Sequence, residues 1–448
     1  MKNIFISLLL VQAFVFPLYS QTNSADQILT LEDAIDLAIV NNKQLKIQRN
    51  LVEIAENNVF KGNAGLMPSI RLASDARLSE NNANINIRTF IDNPPLVKLE
   101  ESGVQSTMLS AGVRADYLLI GGFGGKYRYK LLENERSISR YQQEVFLNKL
   151  LLGISTLYLD IAKLQSREEL LIENVAISRE QLARVENKIE FGQATGALAL
   201  SAKTNINQEL DALDNVLLLK NNLIKELNFL MGIAPETAYL VAVTFVHPAM
   251  MEVQELKAKV IENNPALKIN SEFLMVSNNQ LKVRESVKYP TLNAFADYGY
   301  FRQDNQVQQL AKLETLGYSA GLSLSFTVFD GKRINQGIRN AKIEIENVQT
   351  QLSLAEDELV KEAVKEQSQL VILKTKLDRQ QNDLATFEDN FIRTQDRFEG
   401  GLASSLDLKE AQRSLLNARI GINDSKLDIL QSMNRIRNLT GDFIHLLE

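Results

Sequence analysis

The stretch from Leu370 to Leu439 limits most what this chain can fold into. Leu370, Leu373, Leu377, Leu384, Phe387, Phe391 and Phe398 fall at steps of three, four or seven residues. After a short break, Leu408, Leu415, Ile422, Ile429 and Ile436 recur at every seventh position, beside a second row of Ala411, Ala418, Ser425, Ser432 and Leu439. A strict heptad keeps one seam facing a partner only if the helices coil left-handedly around each other. The break itself, Glu399 to Ser405, carries Gly400-Gly401 to stop one helix and Ser404-Ser405 to start the next. These residues predict a long helical hairpin with a tight tip.

The rest of the composition removes whole classes of function. The 49 Lys+Arg and 55 Asp+Glu leave a net charge of −6, so there is no basic footprint for nucleic acid. No Cys occurs, which excludes disulfides and thiolate chemistry, and the two His are His247 and His445. A His-based catalytic or metal site has almost no raw material. The carboxylates are spread along heptad surfaces, as solvated helix faces require, so no enzyme activity, metal or cofactor is expected. Residues 1–20 read as a signal peptide: Lys2 opens it, Ile4 to Phe16 is mostly apolar, and Ser20 suits cleavage before Gln21. The mature chain is expected to be exported, and no later uninterrupted apolar run reaches the ~18 residues of a membrane helix.

An internal repeat organises the remainder. Asn41-Asn42 with Leu45 returns as Asn263-Asn264 with Leu267, and Pro68 returns as Pro290, all offset by 222 residues. Gly122 answers to Gly331, Gly192 to Gly401, Ala202 to Ala411 and Gly232 to Gly441, all offset by 209. The 13-residue difference places an insertion after Pro68. The chain therefore reads as a signal peptide (1–20), a first repeat (21–232), a connecting segment (233–254) with a short strand, and a second repeat (255–448). Thr30 and Asp33 look like a capping box at the start of the first repeat.

After each of Pro68 and Pro290 the period changes from helical to two. Strands are expected at about 69–78, 108–119, 291–301 and 317–328, one face apolar and the other polar or small. Tyr117, Phe123, Tyr289, Tyr300, Phe301, Phe326 and Phe329 gather at their ends, where interfacial girdles belong. This is the pattern of a transmembrane β-barrel strand. A soluble sandwich with one wet face is the competing reading, but four strands in two hairpins leave no second sheet. Ser79 to Gln105 and Arg302 to Thr315 are expected as polar loops. Of eight Pro, none lies between Pro95 and Pro235 or after Pro290. Each repeat thus has room for one unbroken helix, about Lys126 to Glu190 and about Arg333 to Glu399, roughly 100 Å long at 1.5 Å per residue. The fold class is mostly α with a small β part. Four strands cannot close a barrel, because the smallest need about eight, and open edges in lipid are costly. Copies of the chain must pool their strands.

Taken together, the duplicated unit, the Asn-Asn motifs, Met67-Pro68-Ser69 and Tyr289-Pro290-Thr291, Leu119-Ile120-Gly121-Gly122 and Val328-Phe329-Asp330-Gly331, and the two tips resemble the TolC family of outer-membrane efflux channels. The resemblance covers about Leu29 to Gly441. It implies a homotrimer with a 12-stranded barrel in outer-membrane lipid, continued by a helical tunnel (α-barrel) through the periplasm. It also implies a periplasmic adaptor (membrane fusion protein), an inner-membrane transporter of RND, ABC or MFS type, and service in a tripartite efflux pump or in type I protein secretion. A soluble periplasmic coiled-coil adaptor is the other class that would use such hairpins, without a reason for the strands.

The resemblance also places function at the tips. Gly192, Gln193 and Thr195 on the first tip and Gly400, Gly401, Leu402 and Ser404 on the second are implied adaptor contacts. Asp407 and Glu410, three apart on one helix face, match two acids that ring the periplasmic entrance, and Ser404 with Asp407 also reads as a capping pair. The family's polar closure does not transfer, since Phe398, Ala403 and Leu198 stand at its positions. The expected substitute is either apolar packing of Phe398 and Leu198 or other groups.

Overall fold

The computed structural model describes residues 28–87, 97–247, 249–306 and 311–443. The expected signal peptide, Pro248 and His445 lie outside the described residues. In chain order the elements are β1 (Ile28–Leu29), α1 (Leu31–Asn41), α2 (Lys43–Asn58), β2 (Ser69–Ile87), β3 (Val97–Gly121), α3 (Gly124–Glu190), α4 (Gly196–Met231), β4 (Leu240–Val241), α5 (Val253–Asn263), α6 (Pro265–Ser286), β5 (Thr291–Asn305), β6 (Lys312–Ser325), α7 (Arg333–Glu399) and α8 (Ser405–Thr440). α3 and α7 have 67 residues each, and α4 and α8 have 36 each. Two compact units divide these residues, and each draws on both halves of the sequence.

The first unit holds residues 28–42, 153–247 and 372–431. Thr30 caps α1 through a complete box with Asp33, as its spacing predicts. Ala34, Ala38, Tyr158, Leu227 and Met231 are buried. β1 and β4 pair in parallel, Ile28 with Leu240 and Leu29 with Val241. The Tyr158 hydroxyl lies within hydrogen-bond distance of the carbonyls of Leu29 (2.8 Å) and Ala242 (2.9 Å). Further along, the heptad positions close on one another: Leu171, Val175, Val185, Ile206, Val216, Leu377, Leu408, Leu415, Ile422 and Ile429 are buried. Each such side chain contributes about 1.5–3 kcal/mol relative to exposure. The seam is less covered toward the α7 tip, where Phe387 stays exposed and Leu384, Phe391 and Phe398 are half-buried.

The second unit holds residues 43–152, 249–371 and 432–443. Leu256 and Val260 of α5 pack with Ala363 of α7 and Leu439 of α8, flanked by Met251, Leu359 and Ile436. One antiparallel sheet in the order β2-β3-β5-β6 joins the two expected hairpins through β3 and β5.

Two expectations change. β2 and β3 run on through most of the segment expected as a loop, pairing out to Ile87 and Val97 past a bulge between Asn81 and Ala83. Asn81, Asn82, Asn84 and Asn86 give that segment a turn-like composition, because Asn is depleted in strands. The backbone pairing continues regardless. β6 begins at Lys312 and ends at Ser325, earlier at both ends than its pattern suggests. β5 runs on to Asn305, so the segment expected as a second loop, Arg302 to Thr315, is strand at both ends because backbone pairing continues there. In addition, α3 contains a window long and apolar enough to cross a membrane, half of it buried. With Leu150, Leu151, Ile154, Tyr158 and Ile161 inside, that window reads as a core face.

Candidate functional site

The sheet's two faces differ in kind. Register aligns Leu72, Val113, Tyr298 and Tyr318 across the four strands on one face. All four are exposed, Leu72 by 77% and Tyr318 by 86%, as are Ile70, Leu78, Leu322 and Leu324 on the same face. The opposite face carries Arg71, Arg114, Asp297 and Ser319 in one row and Ala73, Gly112, Gly299 and Gly317 in the next. Arg114 pairs with Asp116 (3.0 Å) and lies over the Phe295 ring, and Ser319 donates to Asp297 (2.7 Å). A contiguous apolar face of this extent, backed by a wet one, suits lipid on one side and water on the other. β2 and β6 stand at the ends of the sheet.

Both helical tips, in the first unit, turn by the same device. At the first, Gly192 adopts φ 72° while Gln193 N–H donates to Lys188 (2.7 Å) and Gly192 N–H to Ile189 (2.9 Å). At the second, Gly401 adopts φ 76° while Leu402 N–H donates to Arg397 (2.7 Å) and Gly401 N–H to Phe398 (3.2 Å). This left-handed cap satisfies the last carbonyls of α3 and α7, and glycine takes it without steric cost.

The helices that leave the tips start differently. Thr195 precedes α4 without a side-chain cap bond. Ser404 precedes α8 in a full box: its N–H and hydroxyl reach Asp407 Oδ2 at 2.9 and 2.8 Å, and Asp407 N–H donates to Ser404 Oγ (3.2 Å). The Ser404 N–H, and then its hydroxyl, hold the Asp407 carboxyl below the usual aspartate range. Asp407 and Glu410 are both exposed.

Leu198 and Phe398 line one groove of about 180 Å³ with Val185 and Leu408, so the structure brings that expected pair together. The acidic pair belongs to the second hairpin alone. Leu198 and Ser201 stand where the repeat would put counterparts of Asp407 and Glu410.

The contacts that join the two hairpins near their tips were not visible in the sequence. Arg184 of α3 forms an ion pair with Glu399 of α7 and another with Glu180 (2.7 Å). Lys188 Nζ donates to the Glu399 carbonyl (3.2 Å) and sits 5.3 Å from the centre of the Phe398 ring. Lys409 of α8 donates to Gln208 of α4 (3.3 Å). The available signal was the i,i+4 spacing of Arg184 and Lys188, which puts both cations on one helix face. Their partner on α7 lies more than two hundred residues away.

Residues 34–233 and 256–442 match the family described as outer membrane efflux protein. The chain is 21% identical over 432 residues to the proteases secretion protein PrtF of Dickeya chrysanthemi, covering 94% of this chain and 90% of that one. Its fold is similar to the Campylobacter jejuni CmeC outer membrane channel, with TM-score 0.74, 15% identity and coverage of 98% of this chain and 94% of that one. It is also similar to the open state of the Neisseria gonorrhoeae MtrE outer membrane channel, with TM-score 0.71, 13% identity and 98% of each chain covered.

Proposed function

The chain belongs to the outer membrane efflux protein family, and from that premise we propose that it works as a homotrimer whose copies close one barrel between them. It is an outer-membrane efflux channel, with the family and fold of channel proteins. The observation that carries the trimer reading is the four-stranded sheet with an apolar face and strands β2 and β6 at its ends. In lipid those two edges require partners, because each unsatisfied backbone group costs several kcal/mol. Three copies supply 12 strands, within the range of closed barrels. The half-covered seam from Leu384 to Phe398 fits the same arrangement, with helices of neighbouring copies covering it.

The helical part then lies in the periplasm. Its tips, around Gly192, Gln193 and Thr195 and around Gly400, Gly401, Leu402 and Ser404, meet a periplasmic adaptor, behind which an inner-membrane transporter supplies the energy. Phe398 and Leu198 narrow the entrance, and Asp407 with Glu410 ring it with carboxylates that favour cations. The test is the mass of the detergent-solubilised particle together with ion conduction in planar bilayers. A trimer that conducts is expected; a water-soluble monomer overturns the reading.

A second reading draws on the relative named for protease secretion, which aligns along nearly the whole chain. In that case the same duct serves type I protein secretion. Deleting the gene separates the two: loss of a secreted protein supports secretion, and increased sensitivity to small toxic compounds supports efflux.

A further inference from the structure

Where α3, α4 and α8 run together in the first unit, a polar cluster interrupts the apolar seam. Gln412 of α8 is buried, and its Nε2 donates to Asn174 Oδ1 (2.9 Å) and Ser178 Oγ (3.0 Å) of α3. Ser178 donates in turn to Oε1 of Glu209 on α4 (3.0 Å), and Asn205 Nδ2 donates to the same oxygen (3.1 Å). Two acceptors of this cluster are sealed from solvent and have no hydrogen-bond partner: Glu209 Oε2 and Gln412 Oε1. Ser178 Oγ links the two residues, accepting from Gln412 Nε2 and donating to Glu209 Oε1, so both bare oxygens belong to side chains of one cluster.

An ionised carboxylate only accepts, so these two oxygens cannot satisfy each other while Glu209 is charged. A proton on Oε2 makes it a donor, and Gln412 Oε1 is the unpaired acceptor that the same cluster holds. We propose that Glu209 is a proton-operated clasp, tying α8 to α3 and α4 behind the tips when protonated and loosening them when ionised. The clasp bears on gating only through the channel reading above, under which the entrance opens more readily as pH rises.

Burial pushes the Glu209 carboxyl above the usual range, against the hydrogen bonds from Ser178 and Asn205, the influence of the Asn174 amide and the charge of Lys409. Lys409 is the charged group that α8 presents to it; α3 presents Asn174 and Ser178, and α4 adds Asn205, none of which titrates. A raised folded-state pKa means that the folded chain holds the proton longer than the unfolded one. Its stabilising contribution is therefore fully present below the ordinary glutamate value and is lost as pH rises through the raised one.

The experiment compares the full chain with Glu209→Gln and Gln412→Met, by thermal unfolding in detergent and by planar-bilayer recording, from about pH 5 to about pH 9. In the unchanged protein the unfolding midpoint falls with rising pH while open probability rises severalfold. Glu209→Gln carries a permanent donor and holds both readouts level; Gln412→Met removes the acceptor and shifts the step to lower pH. A pH slope shared by the unchanged protein and Glu209→Gln, or a step that Gln412→Met leaves in place, overturns the clasp. Absence of current from every variant, with the unfolding step intact, removes the channel reading and spares the clasp.

Discussion

Asn42 and Asn264 make the same bond in two places. The Asn42 side chain donates to the Leu230 carbonyl at 2.9 Å, and the Asn264 side chain donates to the Leu439 carbonyl at 2.9 Å. Each thereby satisfies a carbonyl in the last turn of a 36-residue helix. The glycines that follow, Gly232 (φ 70°) and Gly441 (φ 76°), press on the preceding asparagines: an added Cβ would meet the Asn41 carbonyl oxygen at 2.7 Å and that of Asn263 at 3.0 Å. Asn42→Ala or Asn264→Ala should each cost about 1–3 kcal/mol, the range for a buried acceptor left unpaired. Gly232→Ala should be worse than Gly441→Ala, since it meets the tighter contact. Thermal unfolding of the four variants in detergent checks both orders.

Tyr158 ties the ends of β1 and β4 together through one hydroxyl, and burial pushes its pKa above the ordinary tyrosine value, so the O–H stays protonated. Tyr158→Phe should lower stability by about 1–3 kcal/mol, because it strands buried backbone groups with little change of volume. Hydrogen exchange should quicken at Val241 and Ala242 while the interior of α4 stays protected.

Replacing Asp407 and Glu410 together by Ala should raise single-channel conductance or relieve block by multivalent cations. Because Asp407 is held below the usual aspartate range, its charge should outlast that range as the solution is acidified. The cap's contribution is present above the unfolded-state value and is lost as pH falls through the depressed one. Block by a divalent cation, titrated downward in pH, reads this directly; an unchanged cation response in the double variant leaves the cap and removes the ring.

At the tips, Arg184→Gln should leave thermal stability within ~1 kcal/mol, since its ion pairs are partly exposed. Phe398→Ala should widen the entrance and raise conductance. Equal conductance for Phe398→Ala and the unchanged protein would remove Phe398 from the closure.

The long helices were legible because nothing opposed their pattern: α7 runs from Arg333 to Glu399, the stretch left free of Pro after Pro290 and closed by Gly400-Gly401. The tip was legible because Gly401 and Ser404 have narrow backbone and capping preferences. The Asn-Asn motif could be seen but not explained, since its partner carbonyl carries no side-chain signature. The outer halves of β2 and β3 were missed because the Asn-rich run from Asn81 to Asn86 argues against a strand, while ladder bonds are made by backbone whatever the side chain. Arg184 with Glu399, and Glu209 with Gln412 through Ser178, link residues more than two hundred positions apart, and neither member announces the other.

β2 and β3, at 19 and 25 residues, are far longer than the ~9–11 residues a strand needs to cross a bilayer. Their surplus therefore projects past the lipid. Under the barrel reading proposed above, with this end turned outward, an antibody or a phage arriving at the cell would meet the hairpin early, and sequence drift there would leave the duct beneath it unaltered.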